Sequence, residues 1–162
     1  MLFVTLGTQD KCFKRPLEAL EEHIKNGNIK DEIIVQAGHT KFESKYMKIL
    51  DYIPYDEFSK YIEKADVVIT HGGVGNILSS IKLHKKIIAI PRLAKYGEHI
   101  NDHQLQIISK MAQDGYIIDG SDLDKLPDNI EKAKRLEVKE FVSNTDNFLD
   151  RFEKELDKLL GW

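Results

Sequence analysis

The chain has 162 residues, 41% of them hydrophobic and 31% charged, which is room for one domain with a sizeable core and too apolar for a disordered chain. A formal net charge of −3 gives no general argument for nucleic-acid binding. The single cysteine, Cys12, excludes an internal disulfide and fits a reducing cytoplasm, and no apolar run approaches the roughly 18 residues of a spanning helix or resembles a secretory signal.

In chain order, Leu2–Leu6 is a continuous apolar run stopped by Gly7, the pattern of a buried parallel strand. A helix is predicted from near Pro16, with Leu17, Leu20 and Ile24 on one face and Asn26-Gly27 ending it. Glu32–Ala37 predicts a second strand closed by Gly38, and Met47–Ile53 a weaker, short one. Phe58, Tyr61, Ile62 and Ala65 recur at helical spacing. Val67–Thr70 predicts a buried strand broken by His71-Gly72-Gly73. A helix over Ile77–Leu83, a strand over Ile87–Ile90, a polar loop from Pro91 to Asn101 and a helix around Leu105–Ala112 follow. Tyr116–Ile118 is the last predicted strand, and two helices finish the chain.

Strands alternating with helices predict one doubly wound, mainly parallel, Rossmann-like α/β domain over residues 1–162. Residues 139–162 form its predicted amphipathic end. There Val142, Thr145, Leu149, Phe152, Leu156 and Leu159 make a helical stripe, expected to dock on a partner with Trp162 as anchor. Ligands of such sheets bind beyond the carboxyl ends of the strands, so the loops at Gly7, Gly38, His71 and Pro91 are the ones to read.

Thr70-His71-Gly72-Gly73-Val74-Gly75-Asn76 lies between a predicted strand and helix. Its glycines allow close backbone approach, and the helix start offers unpaired amides to an anion such as pyrophosphate, with His71 a further donor. The same composition equally fits a tight turn that binds nothing. Gly7 and Thr8 follow the first strand, where amides and a hydroxyl can contact phosphate. Neither a G-x-G-x-x-G fingerprint nor a Walker A loop is present. In Pro91–Gln104, Arg92 and Lys95 are candidates to face phosphate, and Glu98 or Gln104 to bind ribose or sugar hydroxyls. His99 and His103 are four apart, but the sequence places no third ligand beside them, so no metal is expected.

Three segments in order, Leu2–Thr8, Val67–Asn76 and Pro91–Gln104, together resemble the carboxyl-terminal domain of glycosyltransferase family 28. The likeness runs from Met1 to about Gly115. It is greatest to short bacterial exopolysaccharide and capsule transferases split over two chains, and extends to the catalytic subunit of the eukaryotic two-part N-acetylglucosamine transferase. The resemblance implies the carboxyl-terminal half of a GT-B fold and an inverting hexosyl transfer from a UDP-sugar, with no cofactor. It also implies a membrane-anchored partner subunit that holds a polyprenyl-diphosphate-linked saccharide acceptor and recruits this chain to the inner face of the cell membrane. By position it implies that Gly7 and Thr8 lie near the diphosphate and that Gly38 and His39 border the nucleotide pocket. By the same resemblance, Ile53 would present backbone to uracil, His71, Gly72, Gly73, Gly75 and Asn76 would line the pyrophosphate side, and His103 with Gln104 would contact the sugar.

One departure stands out. Family members often carry a ribose-binding acid on the helix after the glycine loop, and Ser79 occupies that position, so Glu98 takes the role or ribose is held differently. Among side chains able to act as general base, His39, His71 and His99 qualify by type alone. UDP-galactose, UDP-glucuronate and UDP-N-acetylglucosamine remain open as donors, with galactose favoured by the resemblance. The alternatives are a non-catalytic UDP-sugar-binding regulatory module and a UDP-N-acetylglucosamine epimerase-like enzyme.

Overall fold

A computed structural model describes residues 1–140. The stripe predicted over 142–162 lies outside the described residues. Six parallel strands form one sheet: β1 (Leu2–Thr5), β2 (Ile33–Gln36), β3 (Lys48–Leu50), β4 (Val67–His71), β5 (Lys86–Ile90) and β6 (Ile118–Asp119). Their order is β3-β2-β1-β4-β5-β6, so the winding reverses between β1 and β4. That reversal opens a crevice at the carboxyl ends of those two strands. The helices are α1 (Arg15–Lys25), α2 (Tyr55–Lys64), α3 (Val74–Lys82), α4 (His103–Gln113) and α5 (Leu126–Arg135).

Both faces of the sheet are covered, which is why the strands read as apolar runs rather than alternating ones. Leu2, Val4, Val67 and Ile69 point to the face packed by α1 and α5, through Leu17, Leu20, Leu126 and Ile130. Each fully buried aliphatic of this kind contributes about 1.5–3 kcal/mol. The opposite face is covered by two separate apolar clusters. Phe3, Ile34 and Val68 pack under α2 with Ile62 and Phe58. Ile87 and Ala89 pack under α3 and α4 with Ile77, Ile81 and Ile108. A trench remains between α2 and α3, above the strands at the reversal.

Strand register gives that trench a polar floor. Thr5 pairs with Gln36 on one side and Thr70 on the other. All three are buried. Each lies two residues beyond an apolar side chain of the same face (Phe3, Ile34, Val68), so a polar row crosses three strands at one level.

Several predicted boundaries shift. α3 begins at Val74 rather than Ile77, because Gly75 and Asn76 complete its first turn. α4 begins at His103, and β6 at Ile118, with Ile117 and Tyr116 packed in the α3–α4 cluster instead. The polar loop after β5 contains a short 3-10 turn at Ala94–Tyr96, closed by Gly97 at φ 69°. Of the two final helices predicted, α5 is observed and the second falls in 141–162.

Candidate functional site

The glycine loop after β4 resolves into three different local demands. A Cβ on Gly72 would stand 2.6 Å from Cβ of Gln104, so Gly72 lets α4 pack against the loop. A Cβ on Gly73 would stand 2.2 Å from Cε1 of His71, so Gly73 makes room for that ring. Among the described residues nothing lies within 4 Å of a Cβ added at Gly75, and its backbone is not left-handed. Neither packing nor conformation requires a glycine at 75, and it sits in the first turn of α3. Of the three glycines expected to allow close backbone approach, two thus approach the protein's own side chains.

Gly73 is the residue before α3 and has no capping side chain. Its amide donates to Nδ1 of His71 at 3.0 Å. The amides of Val74, Gly75 and Asn76, at the positive end of the helix, have no helical carbonyl to bond. His71 is pulled down to about 4, first by burial and then by the positive charge of Arg92. At neutral pH the ring is uncharged, and because Nδ1 accepts from Gly73 the proton sits on Nε2. The side-chain amide nitrogen of Asn76 is placed 3.1 Å from Nε2; because a protonated Nε2 needs an acceptor there, the amide is assigned in the turned orientation, its oxygen accepting from Nε2. His71 is therefore placed as a hydrogen-bond donor with both nitrogens engaged, an arrangement that does not favour it as a general base.

The ring is also packed from the other side. Gly7, at φ 78°, approaches so closely that a Cβ there would lie 2.6 Å from Nε2 of His71. Gly38, at φ 58°, lets the loop after β2 touch the loop after β1: its Cβ would stand 2.3 Å from the carbonyl oxygen of Gly7. Gly38 itself is buried, and His39 points out with its ring edge-on to Tyr52 at 5.5 Å. Neither borders the cavity described below.

The loop after β5 turns inward. Arg92 is 1% exposed. Its guanidinium lies 4.7 Å over Phe13 and donates to the carbonyls of Lys11 (2.8 Å), Glu98 (3.2 Å) and Leu6 (2.8 Å). Glu98, also buried, accepts from Arg15 through both oxygens, at 3.1 and 3.0 Å, and from the Leu93 amide at 3.0 Å. Oε1 of Gln104 accepts from the amides of Gly72 and Arg92, both at 3.0 Å. These three side chains tie together the loops after β1, β4 and β5. In this arrangement the three side chains serve a buried network, in which Nε of Arg92 has no partner among the described residues, and none of the three lines the cavity described below. His103 is exposed, with Nδ1 3.3 Å from Gln106, and lies outside the cavity. Asp102 accepts from the Ala94 amide at 2.8 Å. Among the described residues no group of three or more His, Cys, Asp or Glu side chains is placed to hold a metal.

A cavity of about 620 Å³ occupies the trench. Of the residues singled out in the sequence, Gly7, Thr8, Ile53, His71, Gly73, Gly75 and Asn76 line it. Gly38, His39, Gly72, Arg92, Glu98, His103 and Gln104 do not. One end holds the α3 amides, Thr8 and the His71–Asn76 pair. The other is walled by Tyr52, Ile53, Tyr55, Phe58 and Leu83. Ser79 lies along the α3 wall and donates to the Gly75 carbonyl at 2.8 Å, leaving its oxygen free to accept. Among the described residues no carboxylate lines the cavity. The arrangement suits an anion at one end and a flat, partly apolar group at the other. The sequence reading missed Thr5 and Gln36 on the floor. Their signal was a polar residue at the last position of an otherwise apolar strand.

Residues 1–159 match the model of the glycosyltransferase family 28 C-terminal domain. The chain belongs to this family. A curated relative of the family 28 domain, the "UDP-N-acetylglucosamine transferase subunit ALG13" of Candida albicans, is 30% identical over 125 residues, covering 76% of this chain and 37% of that protein. This chain thus spans little more than a third of that relative's length. In fold, the domain is similar to the glycosyltransferase SnogD from Streptomyces nogalater, with a TM-score of 0.60 and 18% identity over 83% of this chain and 34% of that one. It is likewise similar to the solution structure of ALG13, with a TM-score of 0.53 and 20% identity over 93% of both chains. The family 28 domain is the Rossmann-like carboxyl-terminal half of the GT-B architecture.

Proposed function

We propose that this chain is the donor-binding part of a UDP-sugar glycosyltransferase that works with a membrane-associated, acceptor-binding partner. The observation that carries the reading is the open end of α3. Its helix-start residues Gly75 and Asn76 line a cavity at the sheet's reversal point, beside an uncharged His71, and no carboxylate among the described residues lines it. In this reading the diphosphate lies against Val74–Asn76 and His71, the ribose beside Ser79, and the base against the backbone of Ile53.

The transfer then needs little from this chain beyond stabilising the departing UDP. Charge develops on the leaving oxygen, and the α3 amides and the helix dipole meet it without reorganising. The product is inverted at the sugar carbon, and the base that takes the acceptor proton belongs to the partner. His39 and His99 do not line the cavity.

The relative's printed name makes N-acetylglucosamine the first donor to test, ahead of galactose and glucuronate. A lipid-linked saccharide is the acceptor class, with exopolysaccharide or capsule assembly as one setting and cytoplasmic recruitment to the inner membrane face as the location. Calorimetric titration with UDP, ADP, UDP-N-acetylglucosamine and UDP-galactose tests the donor half. UDP and its sugars should bind and ADP should bind more weakly. A chain that ignores UDP, or prefers ADP, removes the reading.

A further inference from the structure

The floor of the cavity contains a side chain whose hydrogen bonds run to both ends of it. Gln36 is 4% exposed. Its Oε1 accepts from the Thr5 hydroxyl at 2.8 Å. Its Nε2 donates to the Asp51 carbonyl at 3.2 Å and, more weakly, to the Gly7 carbonyl at 3.4 Å. The two carbonyls set which way the amide faces, because a flipped amide would aim an acceptor at both oxygens, and the Thr5 hydroxyl then donates to Oε1. Asp51 begins the segment that carries Tyr52 and Ile53, the flat-group end of the cavity. Gly7 begins the segment that carries Thr8 and packs on His71, the anion end. The Gly38 amide donates to the same Asp51 carbonyl at 2.7 Å, so the strand-end contact is already made by backbone. Holding β2 to β3 therefore does not require Gln36. What it adds is a bridge from the Asp51 carbonyl across to the Gly7 loop.

We infer that Gln36 is a positioning residue that fixes the spacing between the base-side loop and the phosphate-side loop. This rests on the donor-binding reading above. A ligand with a base and a diphosphate joined through ribose gains from both contacts together only if the two loops hold one separation; either fragment alone is indifferent to it. Only the amide satisfies this geometry, since it needs an acceptor toward Thr5 and a donor toward two carbonyls. Methionine fills the space with neither. Glutamate supplies a donor only when protonated.

The test measures UDP, uridine and inorganic pyrophosphate binding to the whole chain by chemical-shift titration. The expected result for Gln36→Met is UDP affinity lower by about tenfold or more, with uridine and pyrophosphate each changed by less than about threefold. Gln36→Glu serves as the second variant. The ratio of its UDP affinity to that of wild type should recover as pH falls from 8 to 5.5, because burial raises the new carboxyl and its protonated form donates again. The ratio cancels the titration of UDP itself. His71 stays neutral over that range, and Asp51 turns its carboxylate outward to Lys41 at 3.1 Å. An unchanged UDP affinity in Gln36→Met overturns the inference, as does a fall in uridine or pyrophosphate affinity by the same factor as UDP. A flat ratio for Gln36→Glu does so as well. Wild-type UDP binding is measured first. Its absence overturns the donor-binding reading and this inference together, whereas a wild type that binds UDP beside an unaffected Gln36→Met overturns this inference alone.

Discussion

Gly73 lies so close to His71 that any side chain at 73 would enter the imidazole: the added Cβ would stand 2.2 Å from Cε1. Gly75, two residues on, meets nothing within 4 Å. The two glycines therefore separate folding from binding. Gly73→Val should displace the ring and destabilise the domain by about 1–3 kcal/mol or more, the usual cost of overpacking. Gly75→Ala should leave stability unchanged or raise it by up to about 1 kcal/mol, since alanine is the better helix former. Yet it should weaken UDP binding at least tenfold. Urea denaturation and titration on the same samples check both, and a Gly75→Ala chain with full UDP affinity removes the amides of α3 from the site.

Arg92 is expected to behave as a structural cation. Arg92→Lys keeps the charge but cannot reach three carbonyls with a planar fork, so stability should fall by about 2–4 kcal/mol. The fraction that remains folded should bind UDP within about threefold of wild type. The opposite pattern, full stability with lost UDP affinity, would return Arg92 to the phosphate.

The pH dependence of stability follows from His71. Its folded value of about 4 lies below the ordinary 6.5, so the unfolded chain binds the extra proton first. The stabilisation is fully present above pH 6.5 and declines as pH falls toward 4, by about 3 kcal/mol if this group acts alone. His71→Asn keeps an acceptor for the Gly73 amide and does not titrate. The difference in unfolding free energy between wild type and His71→Asn should therefore shrink between pH 7 and pH 4.5. A difference that stays constant means that His71 is not buried in its neutral form.

UDP binding should survive EDTA. The acids that the sequence places near the ligand loops are engaged elsewhere: Glu98 with Arg15 and the Leu93 amide, Asp102 with the Ala94 amide. Titration in chelator, then with added Mg²⁺ or Mn²⁺, checks this. Binding that disappears in EDTA and returns with metal would give a divalent ion a place in the diphosphate subsite.

The sheet was legible because each of its inner strands is buried on both faces and so spells an unbroken apolar run, as in Leu2–Leu6 and Val67–Thr70. The glycine loop was legible as a strand-to-helix turn for the same local reason. The division of labour inside it was not, because Gly72 answers to Gln104 and Gly73 to the rotamer of His71, neither of which is a property of spacing. The buried network of Arg92 and Glu98 was illegible for a related cause. Arginine and glutamate are rarely buried, and only the three carbonyls and Arg15 that converge on them explain why these two are. Gln36 was passed over because a single polar residue at a strand end has no pattern until register sets it beside Thr5.

β1 lies between β2 and β4, with Leu2 paired to Ile33 on one side and Val67 on the other. One of the two central strands is thus synthesised before either of its neighbours. During translation its two open edges stay unsatisfied until the chain through β4 has emerged, and the pairings that close them are non-local. Such a topology folds slowly and presents a sticky apolar strand in the interval. A nascent chain stopped before Val67 should therefore recruit trigger-type holding chaperones, and release them once β4 is free of the ribosome.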